Sequence, residues 1–477
     1  MNKSFQKTAL TLGLAAGLVA LAGQAYAAAT IVINNTNAAG VGFNDPTPAA
    51  PVGGNTGTTK GEQRLIAFTY AANIWGATLT SSQPIIINAQ FSALSCTASS
   101  ATLGSAGATS IFRNFVGAPQ ANTWYSYALA NKIAGSYLGT ANAPQINANF
   151  NVNLGNPDCL NGAPFYLGLD GIHGTAVDFV AVLQHEMGHG VGFQTFTSGS
   201  TGAQNGGYPS IWDHFMLDNT TNKLWVNMTN AERAASALNT RKLAWTGANV
   251  TNAVPSVLSL GTPGLTITGP AAGAATGSYD IGTASFGPAL SNPGVTQQLM
   301  PVVLQTDGPG SACTPLTGAN ALAVNGRIAL VDRGTCGFAV KAKNAQNAGA
   351  KGVIVANNAP GSAPSLGGAD PTVTIPTIGI SQADGLLLKA ALAKRSRTAS
   401  GVIASIGVNG SQYAGADLFG RALLYTPNPF IGGSSVSHFD TLAFPNLLME
   451  PSINGDLTQS LLPPKDLTFK LLQDIGW

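Results

Sequence analysis

The chain has 477 residues, 45% of them hydrophobic and only 9% charged, with 58 glycines and a net charge of +2 at pH 7. That length supplies a sizeable core and favours two domains over one, and so small a net charge gives no electrostatic ground for binding nucleic acid or an anionic membrane. Mean hydropathy is +0.18, yet past the N-terminus no stretch approaches the roughly 18 uncharged apolar residues of a membrane span.

Lys3 and Lys7 precede an apolar run from Ala9 to Ala22, and Ala25-Tyr26-Ala27 has the small-residue pattern of a cleavage site. Residues 1–27 therefore read as a signal peptide, which makes the mature protein secreted or otherwise extracytoplasmic. Four cysteines suit that oxidising setting. Cys96 and Cys159 fall in one segment and Cys313 and Cys336 in another, so pairing within each segment is expected; a Cys-rich zinc site would need closer spacing.

Ile31-Val32-Ile33 reads as a short strand. The spacing of Leu65, Phe68, Ala72 and Trp75 predicts a helix over 61–79, followed by a strand over 84–91. A second helix is expected over 122–134, and alternation over 145–152 predicts a half-buried strand. After the glycine-rich stretch 167–174, which contains His173, apolar residues at spacings of three and four predict a helix from 178, ended by Gly190 and Gly192. A helix over 230–243 precedes an abrupt change of composition: residues 265–410 are rich in Gly, Ala, Val and Pro. Within them 327–331, 338–348 and 352–356 read as strand, helix and strand, a parallel βαβ unit, with Asp332 and Arg333 as a turn-forming ion pair. The tail over 463–475 reads as a helix.

The helix from 178 contains His185-Glu186-Met187-Gly188-His189. Residues four apart share a helical face, so both imidazoles can reach one metal ion while Glu186 projects beside it. The chemistry suits a catalytic zinc, which takes three protein ligands and leaves a fourth position for water. For the third ligand the spacing alone leaves several residues open. Thr195 stands where a compact His-x-x-Gly-x-x-His continuation would place histidine, and a neutral hydroxyl is a poor zinc ligand. His173, His438, Glu232, and Asp213 with His214 remain.

The motif through Gly192-Phe193, with Ser437-His438-Phe439-Asp440 and Leu448-Met449-Glu450-Pro451 far downstream, resembles the leishmanolysin group of metzincins. That resemblance implies His438 as third ligand of one catalytic zinc ion and Met449 as the Met-turn methionine beneath it. A second resemblance lies inside the intervening segment. Residues 326–338, 347–357 and 375–381 are similar to a protease-associated (PA) domain.

The expected architecture is α+β: a metzincin-like catalytic domain interrupted by an α/β PA-like insert. Its parts are the signal peptide 1–27, a first catalytic part 28–264, the insert 265–410, and a second catalytic part 411–477. The expected activity is zinc-dependent endopeptidase action on protein or peptide substrates, with Glu186 as general base. The competing expectation is a secreted partner-binding protein with a structural zinc, whose fourth ligand Asp213 or His214 would supply.

Overall fold

Alternate apolar residues build the first sheet. In a computed structural model that describes residues 28–98, 100–303, 305–368 and 370–477, β1 (Ile31–Asn35), β2 (Ile85–Ser92), β3 (Gly104–Ala108) and β4 (Ile146–Asn151) form four strands in the order β1-β2-β4-β3. β1, β2 and β4 run parallel, and β3 pairs antiparallel with β4 at the edge. Ile85, Ile87, Ala89 and Phe91 of β2 point inward with Ile146, Ala148 and Phe150 of β4. The other face presents Asn34, Asn88 and Asn147, whose amides bond in a ladder across three strands.

Two helices cover the inner face. α1 (Lys60–Thr78) starts at a capping box of Thr59 and Glu62 and buries Phe68, Ala72 and Trp75. α3 (Phe179–Val191) is the motif helix, and the Trp75 indole donates to its Gln184 carbonyl at 3.2 Å. Phe68, Phe150 and Phe179 meet edge to face at 5.3–5.7 Å. Each such ring contributes roughly 2–3 kcal/mol through burial. Between the two helices in sequence, α2 (Tyr127–Ala134) is shorter than the expected 122–134. Asn122 takes φ +55, and Tyr125-Ser126 pair with Ile111-Phe112 as a strand, so the chain is not helical until Tyr127.

Two other expected helices are also shorter. The helix at 230 ends at Ser236, and Leu243–Trp245 instead pair with Met216–Asp218, where three fully buried side chains suit a strand. The C-terminal helix spans only Thr468–Ile475 and is entered through Asp466, whose carboxylate accepts the Thr468 N–H at 2.6 Å.

A single buried cluster draws on residues from Ala29 to Leu258 and again from Ala416 to Trp477. Residues between them have their own mixed sheet of eight strands. Val295–Pro301, Ile328–Asp332, Gly352–Ala356 and Thr377–Ile380 are its parallel neighbours, and the helix Phe338–Asn347 joins two of them as expected. Ile328, Leu330 and Ile354 belong to one core while Ala329, Val331 and Val353 belong to another, because alternate residues face opposite sides. Entry and exit strands, Leu260–Thr268 and Ile403–Tyr413, pair antiparallel along their length. Asp332 pairs with Lys389 at 2.5 Å rather than with Arg333, which reaches the Asn357 side chain.

The cysteines pair within segments, Cys96 with Cys159 and Cys313 with Cys336. The expected signal peptide lies outside the described residues. Among those described, no helix is long and apolar enough to cross a membrane.

Candidate metal centre

Asp178 starts α3, its carboxylate accepting from the Val180 and Ala181 N–H groups at 2.9 and 3.4 Å. These are donors that a helix start leaves open. At the far end Gly192 takes φ +128, a conformation suited to glycine. Gly190 lies inside the helix and does not end it, contrary to expectation. Its reason is space: a Cβ there would meet Ile146 Cγ2 at 2.5 Å. Gly188 has a parallel reason, because an added Cβ would stand 2.7 Å from Met449 Sδ. The helix thus gives up side chains where β4 and Met449 press against it.

Beside this contact the structure brings His185, His189 and His438 together, all three buried. Their Nε2 atoms stand 3.1–3.2 Å apart in a triangle. Each Nδ1 meets a backbone carbonyl: Leu448 at 2.8 Å, Phe193 at 2.8 Å and Ser434 at 2.7 Å, respectively. A carbonyl only accepts, so each Nδ1 carries the proton and each Nε2 its lone pair. Burial drives His185 down to about 4 and His189 to about 3, and it pushes His438 well below the usual histidine range, so all three rings are neutral. Three lone pairs then converge with no proton to share.

That donor set fits a cation. Nitrogen ligands at about 2.0–2.1 Å from a tetrahedral zinc stand roughly 3.3 Å apart, close to the spacing observed. The carbonyls that orient the rings are the outer partners such sites require. Among the described residues these three form the one group of His, Cys, Asp or Glu side chains close enough to share an ion.

The other residues considered for the third position are engaged elsewhere. Thr195 donates its hydroxyl to the Asp213 carboxylate at 2.6 Å, and Thr197 and the Ser210 N–H also bond to Asp213. His214 Nε2 meets the Thr123 hydroxyl at 3.0 Å, and His173 Nδ1 the Ala176 carbonyl at 2.8 Å. Glu232 caps its own short helix and pairs with Lys223. Neither Asp213 nor His214 closes the coordination shell.

Glu186 is buried beside the triangle. Burial pushes its carboxyl up to about 8, opposed by a hydrogen bond from the Ala106 backbone. A Cβ on Gly104 would lie 3.0 Å from Glu186 Oε1, so glycine lets β3 approach the carboxylate closely. The group opens into a cleft of about 740 Å³, lined by residues 101–106 and by the loop around 432–438. Glu186 is the only acid among its described lining residues, which otherwise comprise the three histidines, Gln194 and small, hydroxylated or apolar side chains.

Sequence reasoning passed over the residues beneath the site. The Phe439 N–H donates to the Met449 carbonyl at 2.9 Å, which ties the third imidazole to the methionine turn. Glu450 accepts the Leu447 N–H and Asp466 the Leu448 N–H, at 2.8 and 2.7 Å. Leu448 therefore connects Asp466, through its N–H, to His185, through its carbonyl. Burial raises Glu450 to about 8 and Asp466 to about 6. Glu450 lies in the quoted stretch Leu448-Met449-Glu450-Pro451 but received no role there, and Asp466 lies outside it, although Asp466-x-Thr468 has the form of a helix cap.

Three likenesses to known proteins bear on the chain. Leucine aminopeptidase 2 of Arthroderma otae is 54% identical over 61 residues, 13% of this chain and 12% of that protein. A receptor homology region, transmembrane domain- and RING domain-containing protein of Oryza sativa subsp. japonica is 37% identical over 113 residues, 24% of this chain and 20% of the relative. The zinc aminopeptidase BSAP from Bacillus subtilis overlaps 34% of this chain and 36% of its own with 24% identity and a TM-score of 0.23. The chain thus spans about 12% of the length of the curated aminopeptidase it matches. Residues 295–388, inside the expected 265–410, match the family model of the PA domain, and the chain therefore carries a PA domain on its inserted sheet.

Proposed function

We propose that the protein is a zinc-dependent peptidase of the metzincin type, acting within polypeptide chains, in which a body formed by residues 28–264 and 411–477 is interrupted by the PA insert. The observation that carries this reading is the triangle of neutral Nε2 lone pairs beside a buried Glu186, open to a cleft. His185, His189 and His438 would hold the ion, and Met449 would floor it. When bound, the dication supplies Lewis acidity: it polarises a scissile carbonyl, lowers the pKa of water and favours the ionised form of Glu186.

Glu186 acts as general base toward water and then hands that proton to the departing amide nitrogen. The Ala106 backbone holds the carboxyl at the edge of β3. β3 pairs on one side only, with β4, so its free edge offers backbone donors and acceptors to an extended substrate. All three histidines line the cleft, so a bound ion would be open to water where a structural zinc would need a fourth protein ligand. The two disulfides support an extracytoplasmic location.

The relatives' names favour a second reading, an aminopeptidase. Such an enzyme needs an anion to hold the substrate's free ammonium group, and the one acid among the described lining residues, Glu186, is already committed as base. Zinc content, casein hydrolysis and cleavage of leucine p-nitroanilide, measured side by side on wild type, Glu186→Ala and His438→Ala, test both. The endopeptidase reading expects one zinc and casein cleavage in wild type, zinc without activity in Glu186→Ala, and loss of zinc in His438→Ala. Anilide cleavage without casein cleavage moves the assignment to aminopeptidase. Tightly held zinc with neither activity moves it to a partner-binding protein.

A further inference from the structure

Two of the contacts between the PA-bearing insert and the rest of the molecule lead to the segment that carries His438. One is a loop contact. Ser362 donates from its N–H and hydroxyl to the Asn428 carbonyl, at 3.2 and 3.3 Å. Asn428 begins the run toward Ser434, whose carbonyl orients the His438 ring.

The other place is a single side chain. Arg241 Nη1 donates to the Ile281 carbonyl of the insert at 2.8 Å, and its Nε stands 3.9 Å from Asp440 Oδ1. Ile281 is fixed in the insert's own core. Asp440 is buried two residues after His438, with its N–H on the Leu423 carbonyl and its carboxylate accepting the Leu442 N–H at 3.0 Å. Arg241 itself takes φ +60, and its N–H is held by the Thr426 hydroxyl at 3.1 Å. A non-glycine residue is held in that conformation only where its surroundings demand it. Thr426 adjoins Tyr425, whose N–H bonds to the His438 carbonyl at 2.9 Å. The guanidinium of Arg241 therefore meets both the insert, at Ile281, and the segment of His438, at Asp440, while its backbone meets Thr426.

We propose that Arg241 is a positioning residue through which the PA insert sets the placement of His438, and hence the metal affinity of the site. Resting on the reading of the three imidazoles as a metal centre, the coupling gives the insert a role besides spacing. A planar fork suits it, since one guanidinium serves a carbonyl of the insert and a carboxylate of the body at once. Lysine keeps the charge but offers a single point. The neighbouring Lys242 pairs with Asp280 of the insert at 4.0 Å on the surface and leads to no ligand, which makes it the control.

The test uses the full chain loaded with Co2+, in wild type, Arg241→Ala, Arg241→Lys and Lys242→Ala. Visible absorption reads the ligand geometry, and chelator competition reads the affinity. The expected result is a displaced spectrum and an affinity about 10- to 100-fold weaker in Arg241→Ala, as when an outer-shell partner of a metal ligand is lost. Arg241→Lys falls between Arg241→Ala and wild type, and Lys242→Ala matches wild type. An Arg241→Ala protein that melts earlier with the wild-type spectrum and affinity overturns the proposal, as does an equal shift in Lys242→Ala. If Arg241→Ala does not fold, Arg241→Gln and Asp440→Asn are read by the same criteria. Wild type that takes up no Co2+ refutes the metal centre itself, a result distinct from an unaffected Arg241 variant.

Discussion

The contact between Gly188 and Met449 can be tested by a double-mutant cycle. Gly188→Ala adds a methyl 2.7 Å from Met449 Sδ and 3.1 Å from its Cε, a position both atoms must leave. In a packed core such crowding costs about 1–3 kcal/mol, against a gain of about 1 kcal/mol from replacing a mid-helix glycine. The single variant should lose roughly 0–2 kcal/mol. Met449→Ala empties a fully buried site and should lose about 2–5 kcal/mol. In the double variant the alanine methyl enters space that the thioether has vacated, so the loss should fall short of the sum by about 1–3 kcal/mol. Urea unfolding followed by tryptophan fluorescence measures each corner of the cycle. Additivity within about 0.5 kcal/mol would refute the claim that Gly188 exists to receive Met449. Metal retention adds a second measure, since the helix turn that would shift carries both His185 and His189.

Gly104→Ala should push the Glu186 carboxylate from its place and lower kcat about 10- to 100-fold, with zinc content unchanged by metal analysis. Thr195→Val strands a buried carboxylate, Asp213, without one of its donors; thermal or urea unfolding should register a loss of about 1–3 kcal/mol. Asp466 predicts a pH effect. Burial holds its folded pKa at about 6, above the ordinary aspartate value of 3.8, so between these values the folded state keeps a proton that the unfolded chain has lost. Its contribution is greatest below this window and falls as pH rises through it, by up to about 3 kcal/mol. Asp466→Asn should flatten the difference in stability between pH 4 and pH 6, and an unchanged slope would remove Asp466 as its source.

Local pattern was enough for elements whose neighbours agree with it. The strand at Ile85 alternates, the helix at Lys60 follows the spacing of Phe68, Ala72 and Trp75, and the histidines of α3, four residues apart, share one helical face. Where tertiary pairing competes, the pattern misled. Leu243–Trp245 are acceptable in a helix, but their three side chains become buried when paired with Met216–Asp218. Gly190 looked like a helix end because glycine usually marks one, while its actual reason, the Ile146 side chain at 2.5 Å, belongs to a strand 44 residues away. The third imidazole shows the same limit: 249 residues separate His189 from His438, and no helical or strand period spans such a gap. Resemblance to a family supplied that residue, and Asp466 had no comparable clue.

The pairing of the insert's entry and exit strands has a consequence during synthesis. Leu260 and Tyr413 are register partners, so an insert that folds by itself returns the chain close to where it left. The loop to be closed between His189 and His438 then shrinks from 249 residues to roughly 100, which lowers its closure entropy by about 0.8 kcal/mol. A nascent chain that has emerged only as far as the insert holds two of the three imidazoles and lacks Met449. If the three imidazoles hold a metal ion as proposed, its capture waits until His438 and Met449 have emerged.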